Sequence, residues 1–444
     1  MEEAIINQIL TKGQNLVREA CGLERNYTDQ IYAEINSKPI KIVTGFRRAG
    51  KSTIVKHVAL RSVKKKIYPL QNILYLNFED IDLEAFQEAK QVKAICDYFF
   101  SRVENNCLLI LDEIQLVKNW SKLIRSIYEF NDRAQIIITG SNSELLSAEL
   151  GSNLAGRFIE FTIQSFSFKE FLKFKNSLPK NEKELEMNQN ELINLFQEYS
   201  YYGGLPEIFA INTNSAKKSY LQGIISKVIL DDIIKRFKVR NHQLIERILI
   251  YILINIGNPI SFSRIETHCR NLGFDIKVDT VIKYVSYLEK AFAIKEVNKL
   301  DWKSRKVFST EKKYYASDLG LAYLYLDVDN NFSKRLENIV YLKLLRDSPF
   351  SQINYGYNDQ EIDFVELDKA NYFLNKYQVT VKINKENQER ELSSLINSSY
   401  YTGNSQNYLL SLEDKNKDIK INEPGALLNI KQRNIIAWLL DLAR

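Results

Sequence analysis

Five short, nearly continuous apolar runs punctuate the first third of the chain. They are "PIKIVTG" (39–45), "NILYLNFED" (72–80), "CLLILDEIQ" (107–115), "AQIIITGS" (134–141) and "RFIEFTIQSF" (157–166). Between them lie stretches such as "KSTIVKHVALRSV" and "WSKLIRSIYEF", with apolar residues at three-to-four spacing. Apolar strands alternating with amphipathic helices predict an α/β fold with a parallel sheet covered on both faces. Residues 1–40 read as a polar, helical lead-in. Past 167 the pattern turns helical. "NSLPKNEKELEMNQNE" (176–191) reads as a polar surface loop, "YYGGLPEIF" (201–209) as a turn, and "LQGIISKVILDDIIKRF" (221–237) as a helix. Three helical segments and a β-prone end over 242–300 describe a winged helix. The last block, 313–444, mixes α and β, with strand-like "EIDFVEL", "YFLNKYQVTVKI" and "NYLLSL".

Composition narrows the class. The chain has 444 residues, 45% hydrophobic and 26% charged, ordinary values for a soluble globular protein of about two to four domains. The net charge of +6 permits contact with nucleic acid without arguing for it. Cys21, Cys96, Cys107 and Cys269 match no metal spacing and read as reduced thiols of a cytoplasmic protein. The lone histidines His57, His242 and His268 have no partner pattern and read as structural. "MEEAIINQIL" is not expected to be a signal peptide, and "ILIYILINI" (248–256) is too short to span a bilayer. No membrane contact is expected.

The chemistry concentrates at "TGFRRAGKST" (44–53). Gly45, Gly50, Lys51 and Ser52 fit G-x-x-x-x-G-K-[ST], after a strand and before a helix, so backbone amides and the helix N-terminus cradle phosphate. Lys51 is placed to reach the β- and γ-phosphates of ATP and Ser52 to bind Mg²⁺. Arg47, Arg48, Ala49 and Thr53 complete the nucleotide-contacting stretch, with solvated or carboxylate-paired roles open for the two arginines. "LLILDE" supplies Asp112 for the Mg²⁺ shell and Glu113 to polarise the attacking water. Ser141 or Asn142, at the end of "IIITGSN", is a candidate contact for the γ-phosphate or that water. Arg157 in "LAGRF" is a candidate arginine finger, in cis or from a neighbouring subunit, with a structural role equally open.

"GFRRAGKST", "LLILDEIQ", "IIITGSNSELLSAELGSNLAGRF", "FSFKEFL", "GGLPE", "ILDDIIKRFKVR", "TVIKYVSYLEKAFAI", "KYYASDLGLA", "LENIVYLKLLR" and "EIDFV" together resemble a large prokaryotic family of AAA-type ATPases with a C-terminal domain of unknown function. The resemblance covers nearly the whole chain. It implies an AAA-type core over 1–166, a helical lid over 167–240, a winged helix over 241–312 and a restriction-nuclease-like domain over 313–444. Phe46 stands where many members carry proline, at a position that offers no obligatory group to phosphate.

Nucleases of that fold place carboxylates on Mg²⁺ and a lysine beside the attacking water. Glu337, Asp363 and Gln378 fall at suitable places, with Glu361 on the same strand face as Asp363. Thr380 stands at the lysine position, and Lys382 lies two residues on. A degenerate site kept as a scaffold or binding surface is the plainer reading, with a migrated lysine as the alternative. The third helix of the winged helix carries only Lys283 and Lys290 as cations, with Tyr284 and Tyr287 beside them. The following "NKLDWKSRK" (298–306) adds Lys299, Lys303, Arg305 and Lys306 as a basic wing or a solvated charge run. Three functions remain in view: an Mg²⁺-dependent ATPase whose cycle acts on DNA or a protein partner, an ATP-occupancy switch, and an ATP-regulated nuclease. The sequence leaves oligomerisation open.

Overall fold

The branched apolar runs become strands in the computed structural model, which describes residues 2–141, 154–326, 331–423 and 426–443. The chain divides into two units, residues 1–164 with 290–292, and residues 165–289 with 293–444.

In the first unit β1 (Ile40–Gly45), β2 (Ile73–Asn77), β3 (Cys107–Asp112), β4 (Ala134–Gly140) and β5 (Phe158–Ile163) form one sheet. Their order is β2-β3-β4-β1-β5, and every neighbouring pair is parallel. β1 and β3 are buried at all six positions, which is why β3 reads as a continuous apolar run and β1 as one broken only by Lys41 and Thr44. Helices α3 (Lys51–Lys64), α4 (Ala89–Phe100) and α5 (Trp120–Phe130) connect them. Ile42, Leu109 and Ile138 of the sheet share a core with Val92, Ile95 and Phe99 of α4 and with Leu123, Ile124 and Ile127 of α5.

The helical lead-in expected over residues 1–40 packs on the sheet. They form α1 (Glu2–Arg18) and α2 (Asn26–Ala33), and Ile6 and Ile9 belong to the same core as the sheet. Gly13 lets α1 lie on β2, because a Cβ there would stand 2.3 Å from the Tyr75 carbonyl oxygen. Lys12 adds ion pairs to Asp80 and Asp82 at 2.6 and 2.5 Å. Only a few apolar positions carry this docking, too sparse a signal to stand out against the polar remainder.

The second unit begins with α6 (Phe168–Phe174). The expected loop over 176–191 is largely helical instead, as α7 (Glu182–Met187) and the start of α8 (Gln189–Tyr202). No residue of α7 is buried. Helix-forming glutamates and a lysine, begun by the Asn181 side chain accepting from the Glu184 amide at 2.9 Å, sustain it without a core face. The expected turn over 201–209 narrows to Gly203–Leu205, between the helix end at Tyr202 and a 3-10 helix over Pro206–Ala210; Gly203 has φ of 75°, and a Cβ there would lie 2.0 Å from an Asp318 oxygen. Helix α9 (Asn214–Lys227) runs on into a π-helical stretch, Val228–Lys235.

Helices α10 (His242–Ile254), α11 (Phe262–Asn271) and α12 (Val278–Lys290) then precede an antiparallel hairpin of β6 (Ile294–Asp301) and β7 (Lys306–Ala316). Leu244, Ile245, Ile248, Leu249, Ile252 and Leu253 are the buried face of α10. Among the described residues no helix is long and apolar enough to cross a membrane. β6 also pairs in parallel with β8 (Gln352–Asn358). The hairpin is thus the margin of an eight-stranded sheet ordered β12-β13-β11-β10-β9-β8-β6-β7. The remaining strands are β9 (Gln360–Leu367), β10 (Phe373–Thr380), β11 (Gln406–Ser411), β12 (Lys417–Glu423) and β13 (Ala426–Asn434). The expected division at 312 therefore falls inside β7, which pairs with β6 on both sides of a register shift at Asn298 and Lys299. Helices α13 (Leu319–Tyr323), α14 (Phe332–Asp347), α15 (Gln388–Thr402) and α16 (Ile435–Leu439) complete the unit.

Candidate functional site

Parallel strands bring all their C-terminal ends to one edge, and the first unit places its chemistry there. The phosphate loop leaves β1 at Gly45, whose φ is 137°. A side chain there would put Cβ 2.0 Å from the Ile163 carbonyl oxygen of β5, so only glycine fits. Arg48 and Gly50 follow with φ of 61° and 94°, and α3 starts at Lys51. Ala49 is buried, and Thr53 is half-buried beside Ser52 at the helix start. The Lys51 ammonium is 4% exposed. It donates to the carbonyls of Gly45 at 3.1 Å and Phe46 at 3.2 Å, and stands 3.7 Å from Glu113 Oε1.

Asp112 ends β3, two strands from the loop, and is fully buried. Tyr75 of β2 donates its hydroxyl to Asp112 Oδ2 at 2.7 Å, and Thr139 of β4 donates to Oδ1. The Ser52 side chain is a further hydrogen-bond partner. Burial and the charge of Glu113 push the Asp112 carboxyl above the ordinary aspartate range, while those three hydrogen bonds pull it back. Glu113 has φ of 54° and ψ of 45°, an uncommon conformation for a glutamate. Its amide donates to Thr139 Oγ1 at 3.0 Å, and its carboxylate accepts from Gln115 Nε2. Thr139, Tyr75 and Gln115 thus aim the acidic pair. The sequence reading missed all three: Thr139 and Gln115 lie on or beside strand ends that a parallel sheet would gather, whereas Tyr75 sits mid-strand in β2 and carries no such signal.

The oxygen donors of Ser52 and Asp112 meet beside the phosphate loop. A hard divalent cation that keeps several waters and shares phosphate oxygens needs only one or two such protein ligands, so the residues fit Mg²⁺.

The other candidates separate. Arg47 Nη1 pairs with Glu79 at 3.1 Å. Ser141 is buried, and Asn142 lies outside the described residues. Arg157 is placed at the wrong end for a cis finger. Its carbonyl accepts from the amide of Ile40, the first residue of β1, at 2.8 Å, whereas the phosphate loop follows the last. A six-residue strand is about 20 Å long, and the guanidinium pairs with Glu129 at 3.2 Å.

In the second unit the nuclease-like candidates gather around a cation that the sequence did not nominate. Lys313 of β7, 1% exposed, reaches Glu361 at 2.7 Å and Glu337 at 3.0 Å. Tyr315 donates to Glu337, and the Val379 amide donates to Asp363 Oδ2 at 2.7 Å. Burial and the Glu337 charge push the Asp363 carboxyl well above its ordinary value. Burial also disfavours the Lys313 ammonium, yet Glu337, Glu361 and Asp363 together outweigh it and raise its pKa. Lys382 is not the migrated lysine: it pairs with Glu413 at 2.9 Å on the surface. Gln378 donates to Glu391 at 3.1 Å, and no group of three or more acidic, histidine or cysteine ligands suited to a metal occurs among the described residues. On α12 Tyr284 is buried and Tyr287 stacks on Phe237 with centroids 3.9 Å apart. Both are therefore packing residues rather than an open aromatic face.

A model of an AAA domain matches residues 37–172, the stretch that holds this site, and a model of a domain of unknown function matches residues 193–331. An uncharacterized protein of Haemophilus influenzae is 30% identical over 344 residues, covering 77% of this chain and 82% of the relative. The chain belongs to that protein's family and carries an AAA-type P-loop ATPase core. An uncharacterized protein of Methanocaldococcus jannaschii is 29% identical over 401 residues, covering 88% of this chain and 85% of its own. Among solved structures, a Walker-type ATPase of Pyrococcus abyssi is similar at 16% identity and a TM-score of 0.45, covering 69% of this chain and 97% of that one. The Orc1 protein of Aeropyrum pernix, solved in complex with DNA, reaches 13% identity and a TM-score of 0.31, covering 70% and 93%. Both scores are too low to argue from.

Proposed function

We propose that the chain is an Mg²⁺-dependent ATP hydrolase whose nucleotide cycle drives a conformational change acting on DNA or a protein partner. The observation that carries this is the convergence of Lys51, Ser52, Asp112 and Glu113 at one edge of the sheet, with Lys51 3.7 Å from Glu113. In this reading the loop amides and Lys51 bind the phosphates and neutralise charge that grows during transfer. Ser52 and Asp112 would hold Mg²⁺, which would supply further stabilisation of the phosphate charge. Glu113 orients the attacking water and polarises it. Thr139 and Tyr75 keep the Asp112 carboxylate turned toward Ser52. Arg157 serves only in trans, offered by a neighbouring copy to that copy's partner site.

A second reading, a slow ATP-occupancy switch, draws on the restraint of Glu113 by Gln115 and Lys51, which keeps the carboxylate occupied before any water is bound. The two readings part on turnover of purified protein with and without single- and double-stranded DNA. Turnover that DNA accelerates favours a DNA-coupled remodeller, with Lys303, Arg305 and Lys306 of the hairpin as its contact. A DNA-independent rate favours a protein partner. Binding without turnover under every condition leaves the switch. A nuclease reading has less support, because a lysine of the chain already neutralises the carboxylates that would hold metal.

A further inference from the structure

Behind the phosphate loop sits a charged group that no motif of the sequence singled out. Arg25, just before α2, is 4% exposed. Its Nη1 donates to the Ala49 carbonyl at 2.8 Å and its Nη2 to the Gln164 carbonyl at 2.9 Å. The guanidinium lies 4.9 Å from the centre of the Tyr27 ring, and the Tyr27 hydroxyl accepts from the Gln164 amide at 3.5 Å. Taking a guanidinium out of water costs several kcal/mol unless its donors are met. Here two of the acceptors are backbone carbonyls, one in the phosphate loop and one just past β5, the strand the loop abuts.

The peptide that Arg25 grips has a particular place. The carbonyl of Ala49 and the amide of Gly50 belong to one planar trans unit, so they point in opposite directions. Holding the carbonyl back on the guanidinium turns the Gly50 N–H forward, into the loop. Gly50 is the residue before α3 and has φ of 94°. A Cβ built on it would lie 3.9 Å from Arg25 Nη1, so the guanidinium packs directly behind it. Glycine makes this peptide easy to rotate. A rotated peptide would aim a carbonyl oxygen, with its partial negative charge, at the phosphates.

We infer that Arg25 is a positioning residue for nucleotide binding: it locks the Ala49–Gly50 peptide with the amide facing phosphate and ties the loop to the end of β5. This rests on the reading of the loop as an ATP site. The second carbonyl matters because a single contact would let the loop move with the arginine. Gln164 gives the guanidinium a fixed point on the sheet side.

The test compares full-length wild type, Arg25→Ala, Arg25→Lys and Lys51→Ala by calorimetric titration with ATP and MgCl2, and by KM and kcat for phosphate release. Loss of a charge-assisted hydrogen bond to a carbonyl predicts a KM and Kd raised at least about tenfold in Arg25→Ala, with kcat at saturation within about threefold of wild type. Lysine keeps the charge but lacks the planar fork, so Arg25→Lys falls between the two. A purely structural role would lower the melting temperature of the nucleotide-free protein and leave KM unchanged. Unchanged KM in either folded variant, beside a wild type that binds ATP, overturns the inference and leaves the ATPase reading standing. A wild type that binds no ATP overturns both. Should Arg25→Ala fail to fold, Arg25→Lys decides alone: a raised KM supports the lock, and an unchanged KM removes it.

Discussion

Lys51 in the first unit and Lys313 in the second are almost equally removed from water, at 4% and 1% exposed, and differ in what surrounds them. Lys51 donates to two backbone carbonyls, with one carboxylate at 3.7 Å. Lys313 lies within 3.0 Å of two carboxylates and in the field of a third. A cation met mostly by neutral dipoles keeps charge for an incoming anion. A cation met by several carboxylates has its charge already balanced, and it balances theirs in turn. Identical residue types therefore make a cradle in one unit and a closed structural cluster in the other, and the difference lies in geometry that neither motif alone discloses.

The largest effect expected from this contrast is on turnover. Lys51→Ala should lower ATP hydrolysis at least about a hundredfold, since it removes a charge that grows more valuable in the transition state; phosphate release under saturating ATP measures it. Glu113→Gln should lower kcat by about a hundredfold or more while ATP still binds, and wild-type turnover in that variant would remove its assigned role. Lys313→Met should do the reverse. Leaving its carboxylates without their cation should destabilise the protein by about 3 kcal/mol in denaturant titration, with the KM for ATP unchanged within about twofold. Asp363→Ala should leave any DNA incubated with Mg²⁺ or Mn²⁺ as intact as wild type does. Cleavage by wild type that disappears in this variant would break the comparison outright.

A third lysine sharpens the point. Lys376, fully buried, meets the hydroxyls of Ser398, Ser399 and Thr402 at 2.7–3.1 Å. Burial lowers its pKa from 10.5 to about 7. The unfolded chain then holds more protons than the folded one between pH 7 and 10.5. Stability should therefore rise with pH across that window and fall as pH drops toward 7. Lys376→Met should flatten this dependence in denaturant titrations run from pH 6 to pH 10.

How much of this the sequence carried depended on how far apart the cooperating residues lie. Strands β2, β3 and β4 were legible because a parallel sheet covered on both faces writes a strand as a nearly unbroken apolar run, whereas β1 carries Lys41 and β5 the exposed Glu160 and Thr162. Lys51 and Ser52 were legible because they close a glycine-spaced loop between a strand and a helix, and Asp112 and Glu113 because they stand at the end of an apolar run. Tyr75, Thr139 and Arg25 were not, since each is a common residue whose meaning comes from a partner across the sheet. Lys313 is separated from Glu337 and Glu361 by 24 and 48 positions, and no spacing rule links them. For Arg157 the choice between cis and trans was not legible for a different reason. It precedes its strand while the phosphate loop follows a parallel one, so strand direction alone sets them at opposite ends. The helix over Glu182–Met187 was hidden by its polarity, because a helix with no buried residue leaves no apolar stripe.

The most direct test is the rate of phosphate release from ATP by the purified full-length protein, measured with Mg²⁺, with a chelator in its place, and in Lys51→Ala. The account predicts turnover that requires Mg²⁺ and disappears in the variant. A rate that survives both the chelator and the loss of Lys51, or no ATP binding at all by the wild type, would contradict it.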